Sequence, residues 1–262
     1  MDEEGPRGGN VVNNFTLGHL IHWFTTAAHW SGPDGIPNRV FEHVLISVES
    51  VTIAAAIALP VGMYVGHRRK GEFIAVTTAN VGRAVPSFAL LVLVFTIMLR
   101  ILPANLAYGF GPGVVTLTLL GIPPILTNTI VGIQGVDADT VEAARGMGFR
   151  EREVLSRLEL PLAMPLIMGG VRTAALQIVA TATLIALIGG GGLGTYIVGG
   201  IAQSDTVQTI AGAALVALLA LFTEFGLALV ERRVTPRHTR TPRRWRRIQP
   251  AAGIAPPTPV GL

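Results

Sequence analysis

Long apolar runs separated by short polar segments dominate this chain, and one polar segment is much longer and more charged than the rest. About 20 apolar residues at 1.5 Å each match the hydrocarbon thickness of a bilayer, so runs of that length read as membrane-spanning helices. The pattern predicts five spans: about Leu45 to Gly66, Ala84 to Leu102, Gly113 to Ile133, Leu162 to Leu187 and Val207 to Val230. Phe15 to Trp30 is too short to cross and carries His19, His22 and His29 beside Trp23 and Trp30. It is expected to lie at the membrane interface, with its histidines solvated rather than holding a metal. The fold class is therefore an all-α membrane protein, a polytopic helical bundle of about five transmembrane helices.

The spans carry their own punctuation. The first ends abruptly at His67-Arg68-Arg69-Lys70, a basic stop that marks an inside end. The second opens at Ala84-Val85-Pro86-Ser87, where a proline costs few backbone hydrogen bonds. Pro123-Pro124 is expected to break or kink the third, and the carbonyls it frees need protein or water beside them. Gly189 to Gly194 resembles a phosphate loop only superficially, because Thr195 stands where such a loop has lysine. ATP binding by this chain is excluded, and the glycines read as close packing or a re-entrant turn.

Val141 to Pro161 is the exceptional polar insert. Glu142-Ala143-Ala144 is expected to open a first helix, Gly148 a turn, and Arg150 a second helix ending at Leu158-Glu159-Leu160-Pro161. Charge then fixes the orientation. With the insert inside, sixteen of the twenty Lys and Arg residues are cytoplasmic: Arg68, Arg69, Lys70, Arg83, Arg145, Arg150, Arg152, Arg157 and eight between Arg232 and Arg247. The amino terminus is then outside and the carboxyl terminus inside. The high pI comes from these loop and tail residues beside apolar spans, which favours anionic lipid headgroups over nucleic acid.

Composition removes several function classes. The chain has no cysteine, so disulfides and thiolate chemistry are excluded. No nucleophile, base and orienting group occur together and no metal-ligand cluster is apparent, which argues against an enzyme, a metal site or a cofactor. Three charges fall inside spans: Glu49, Arg172 and Glu224. Each is a candidate for the transport pathway or for pairing, with snorkelling to an interface the plain alternative for the two glutamates. Pro86, Ser87, Gln177, Gly189, Gly192 and Gly194 complete the pathway or interface candidates.

The spacing of Glu142, Ala143, Ala144, Gly148, Leu158, Leu160 and Pro161 resembles the cytoplasmic coupling loop of inner-membrane permeases of binding-protein-dependent ATP-binding-cassette importers. The likeness extends over about residues 40 to 230. Arg83 to Leu91, Asn128 to Ile133, Gly170 to Ala174 and Ala182 to Gly189 resemble the subfamily that imports glycine betaine, choline and related osmoprotectants, apart from Ala84, Val85 and Phe88. The resemblance implies a type I importer permease fold in the cell membrane, with a helix-turn-helix coupling loop at about 137–161. It implies as partners a cytoplasmic ATPase dimer, a second permease chain, identical or paralogous, and an extracytoplasmic solute-binding protein. Glu142, Ala143, Ala144, Arg145, Met147, Gly148, Leu158, Leu160 and Pro161 are then the ATPase-coupling residues. Ala143, Met147 and Leu155 offer the apolar surface, and Glu142, Arg145, Glu151, Arg152 and Glu153 a charged rim. A permease for an amino acid or metal chelate, a gradient-driven transporter and a scaffold that moves no solute are the competing readings. Residues 1–39 are expected to form an extracytoplasmic segment, disordered over 1–14. Residues 40–231 form the transmembrane domain, and 232–262 a disordered basic, Pro-rich tail.

Overall fold

The computed structural model describes residues 16–71, 73, 76, 77, 85–103 and 108–234, all in helices and their connections without a strand. The expected disorder at the amino terminus, Arg83 and Ala84, and the tail beyond Val234 lie outside the described residues. The elements are α1 (Leu17–Thr25), a 3-10 turn (Ala27–Trp30), α2 (Ile36–Arg68), α3 (Ser87–Ile101), α4 (Phe110–Gln134) and α5 (Ala138–Gly146). A helical turn (Glu151–Glu153) and a π turn (Val154–Glu159) lead into α6 (Leu160–Thr181); a 3-10 turn (Ala182–Ile188), α7 (Gly194–Ala202) and α8 (Thr206–Val234) follow. Among the described residues, four helical stretches are long and apolar enough to cross a membrane, and α3 is a shorter apolar helix.

The core is built around α4, which is buried along most of its length between α2 and α6. Small residues permit this. Gly62 and Gly66 of α2 sit against Thr129 and Ile133, where an added Cβ would come within 2.8 and 2.9 Å, and Gly170 of α6 approaches Asn128 and Pro124 as closely. Ser47 and Ser50 return their hydroxyls to the carbonyls of His43 and Ile46, so the buried face of α2 exposes no unpaired hydroxyl there. Pro123 and Pro124 do not break the helix. They are buried within α4, and the helix runs on through them between its neighbours.

Two ends are defined by contacts. At one, His67 and Arg69 of α2 meet Glu159 and Val136 of the polar insert. At the other, Gly192 donates its N–H to Glu42 at 2.8 Å, and Leu193 donates to His43 Nδ1 at 3.2 Å. His43 is fully buried, and its Nε2–H is thereby left to donate to the carbonyl of Val179. Gly189, Gly191 and Gly192 all have positive φ, so this glycine segment is a sharply turned strap onto the chain's own first span. Thr183 lies so close to Gly194 that no side chain fits there. The short helix α7 follows, an element the glycine-rich sequence did not announce.

Trp23 is buried in a cluster with Ile36, Leu193 and Tyr196. His29 stacks on it at 4.2 Å and shares a hydrogen bond with its carbonyl, so this histidine is packed rather than solvated.

Candidate functional site

The polar insert folds as two arms around a small core of its own: Val136, Val141, Ala144 and Val154, backed by Phe149 and Leu158. Asp137 starts the first arm. Its carboxylate accepts from the backbone N–H and the hydroxyl of Thr140, both at 2.9 Å, satisfying an otherwise orphan donor. The N–H of Thr140 holds the Asp137 carboxyl below the usual aspartate range. The helix therefore begins at Ala138, before Glu142-Ala143-Ala144, and Glu142 is its fifth residue. The dipole-facing acids are Asp137 and Asp139, not Glu142.

Gly148 makes the turn. It adopts φ +89, its N–H donates to the Arg145 carbonyl at 2.9 Å, and the N–H of Phe149 reaches back to Ala144 at 3.2 Å. These two bonds form a Schellman cap, with Phe149 packed beside Ala144 as the accompanying apolar contact. Nothing lies within 4 Å of where a Cβ would be, so glycine is required by conformation rather than space.

The second arm does not end at Leu158 to Pro161. It continues through the π turn into α6, because the Leu160 N–H donates to Leu155 five residues back, and Pro161 has no N–H to lose. The arm and the fourth span are one rod.

The surface differs from the expected one in two places. Leu155 is half-buried against Ile133, Ala163 and Ile167, leaving Ala143 and the largely exposed Met147 as the apolar surface. Arg145 spends its charge internally, in a fork to Glu151 with Nε and Nη2 at 2.9 and 3.0 Å. That carboxylate holds the guanidinium above its usual range. A groove of about 220 Å³ runs between the arms, lined by Ala143, Met147, Phe149, Val154 and Leu158. Glu142 is exposed on the opposite side, where a second cavity of about 280 Å³ separates it from His67 and Glu159.

The remaining candidates are scattered. Arg172 pairs with Glu224 and Glu231 of α8. Glu49 lies on the exposed face of α2, with no partner among the described residues. Pro86 precedes α3 at its exposed start, Ser87 and Gln177 are half-buried, and Gly189 is open on its Cβ side. Sequence reasoning missed Asp137, His67, Glu159 and Glu231; the one local signal was a carboxylate between two leucines at 158–160.

Residues 58–236 match the model of the binding-protein-dependent transport system inner membrane component. The chain belongs to that family. It is 36% identical over 198 residues to the choline transport system permease protein OpuBB of Bacillus subtilis (strain 168), covering 76% of this chain and 88% of that protein. It is 37% identical to the glycine betaine/carnitine/choline transport system permease protein OpuCB of the same organism, covering 75% and 87%. The fold is similar to a chain of the inward-facing MetNI methionine ABC transporter, with TM-score 0.66 at 22% identity over 77% of this chain and 96% of that one. It also resembles a chain of an amino acid ABC transporter, with TM-score 0.63 at 20% identity over 84% and 100%. The protein is thus a multi-pass membrane permease component with the fold of a type I importer permease.

Proposed function

We propose that this permease is a pore subunit of an ATP-driven importer of quaternary ammonium osmoprotectants such as choline, glycine betaine and carnitine. It works with a second permease chain, identical or paralogous, a cytoplasmic ATPase dimer and an extracytoplasmic solute-binding protein. The observation that carries this reading is the insert itself. It is a two-armed element with an exposed apolar groove, continuous with a membrane-spanning rod, so a partner seated at Met147 and Ala143 would displace α6 directly. Glu142, Ala143, Ala144, Arg145, Met147 and Gly148 form the docking arm. Leu158, Leu160 and Pro161 form the junction that transmits displacement. The solute class follows the relatives named for choline, glycine betaine and carnitine, each more than a third identical. The methionine and amino acid transporters resemble this chain at a lower identity that supports the fold alone. Glu49 and Gln177 are assigned to the solute pathway, Arg172 and Glu224 to holding α6 against α8. Residues 40–231 form the permease domain, flanked by an extracytoplasmic segment and a basic cytoplasmic tail. Uptake of labelled choline, glycine betaine, carnitine and proline in a deletion strain at high osmolarity tests the reading. Undiminished uptake of all four overturns it.

A further inference from the structure

Three carboxylate and imidazole groups from distant parts of the sequence meet at the cytoplasmic end. His67 lies in the last turn of α2, Glu151 opens the second arm of the insert, and Glu159 closes the π turn. The imidazole Nδ1 is 2.5 Å from Glu159 Oε2 and Nε2 is 3.0 Å from Glu151 Oε2. Both His67 and Glu159 are shielded, with side chains 11% and 3% exposed, whereas Glu151 is 59% exposed. A neutral imidazole has one N–H, and its other nitrogen would turn a lone pair toward a carboxylate. Both contacts are therefore attractive only when the cluster holds an additional proton.

The bridge joins elements that the backbone does not. Glu151 is also gripped by Arg145 at the end of α5, so a chain Arg145–Glu151–His67–Glu159 ties both arms to the first span. The other charged groups lining the cavity are Arg68 and Arg69 of α2 and Glu142 of α5. Arg69 is turned to the carbonyl of Val136, and α4 carries no charged residue. The π turn is where the buried Glu159 sits, and π turns recur where a helix must serve function over regularity.

We propose that His67 is a positioning residue for transport: it fastens the coupling element to α2, so that displacement of the element moves the first span together with α6. This rests on the coupling role assigned to the insert. Without the bridge, the one side-chain hydrogen bond left between the end of α2 and this region, among the described residues, is that from Arg69 to the Val136 carbonyl. The bridge is complete when both ring nitrogens carry a proton, one facing each carboxylate.

The test uses the complete complex, permease with its ATPase and binding protein, in proteoliposomes carrying labelled choline or glycine betaine. Solute moved per ATP hydrolysed is measured for wild type and variants under the same conditions. His67→Ala should lower the ratio about fivefold, the low end of coupling between two sites, with the ATPase still co-purifying. His67→Arg, which keeps a donor for each carboxylate, should recover most of the wild-type ratio. A wild-type ratio in His67→Ala, or a His67→Arg ratio no better than that of His67→Ala, overturns the bridge. Normal ATPase docking and uptake in both Gly148→Asp and Glu142→Lys overturns the coupling role itself, which distinguishes the two failures.

Discussion

Arg172 on α6 donates from Nε to Glu224 Oε2 on α8 at 2.7 Å, and its Nη1 meets Glu231 at 3.3 Å. This is the charged lock between the rod that carries the polar insert and the last span, whose own buried residues are Ala211 and Gly212. Removing the arginine leaves two carboxylates facing each other. Breaking a fully buried pair costs about 3–5 kcal/mol, but these side chains are about one-third exposed, so about 1–3 kcal/mol is expected. Arg172→Met should lower the melting temperature in detergent by several degrees. Glu224→Gln should lower it less, because Glu231 still partners the guanidinium. Unchanged melting of Arg172→Met would show that the lock contributes nothing.

Gly148→Ala isolates the backbone from the surface. The site has room for a methyl group, so the cost is that of a left-handed conformation, about 1–2 kcal/mol, plus weakening of the Schellman cap. Membrane insertion depends on the spans and should be normal. Co-purification of the ATPase should fall with Gly148→Ala and more with Gly148→Asp, which adds a charge beside Met147. Glu142→Lys should reduce docking by a separate route, reversing an exposed charge without altering the turn. Equal ATPase recovery from Gly148→Asp, Glu142→Lys and wild type at matched expression contradicts the docking role.

Asp137→Ala tests the start of the same arm. Loss of the cap leaves the Thr140 N–H without its carboxylate partner at the start of a helix of 9 residues. Because the folded carboxyl is held below its ordinary range, its contribution is present above the ordinary aspartate pKa and lost as pH falls through the lowered value. Amide exchange over residues 138–146 should therefore accelerate in the variant at neutral pH. Lowering the pH into the acid range should narrow the difference from wild type. A variant that matches wild-type exchange at neutral pH would remove Asp137 from this role.

Spans were legible because run length alone encodes them, and the insert was legible because its polarity interrupts that rhythm. The first span extends to Ile36 and Arg68, beyond its apolar run, since Pro37 can start a helix and Arg69 can end one in the left-handed region. Continuity through Pro161 was hidden: proline reads as a stop, and nothing in a 3.6-residue period announces a π turn. Arg145 to Glu151 and His67 to Glu159 were hidden for a different reason. Their partners are set by the turn at Gly148 and by packing of α2 against the insert, 92 residues apart for the second pair. Glycines 189–194 carried no sign of what they touch, because a strap is defined by Glu42 and His43 on the other side.

Glu49 is the remaining test of the solute pathway. It lies 13 residues from Ile36 and 19 from Arg68, so about 20 Å and 28 Å of helix separate it from the two ends of α2. The face it shares carries Leu45 and Ile53, one turn away on either side and 46% and 37% exposed. A carboxylate turned to lipid at that depth costs about 2.5–3.5 kcal/mol, which a water-filled pathway or a partner charge avoids. Choline is a cation throughout, whereas glycine betaine carries a carboxylate of its own that the glutamate repels. Attraction to a cation at about 4 Å is worth about 1 kcal/mol in water and more where water is partly excluded. Glu49→Gln should therefore reduce uptake of labelled choline about fivefold and that of glycine betaine distinctly less, at matched membrane expression. Equal losses for both solutes would assign Glu49 to packing against a second chain, and no loss for either would remove it from the pathway.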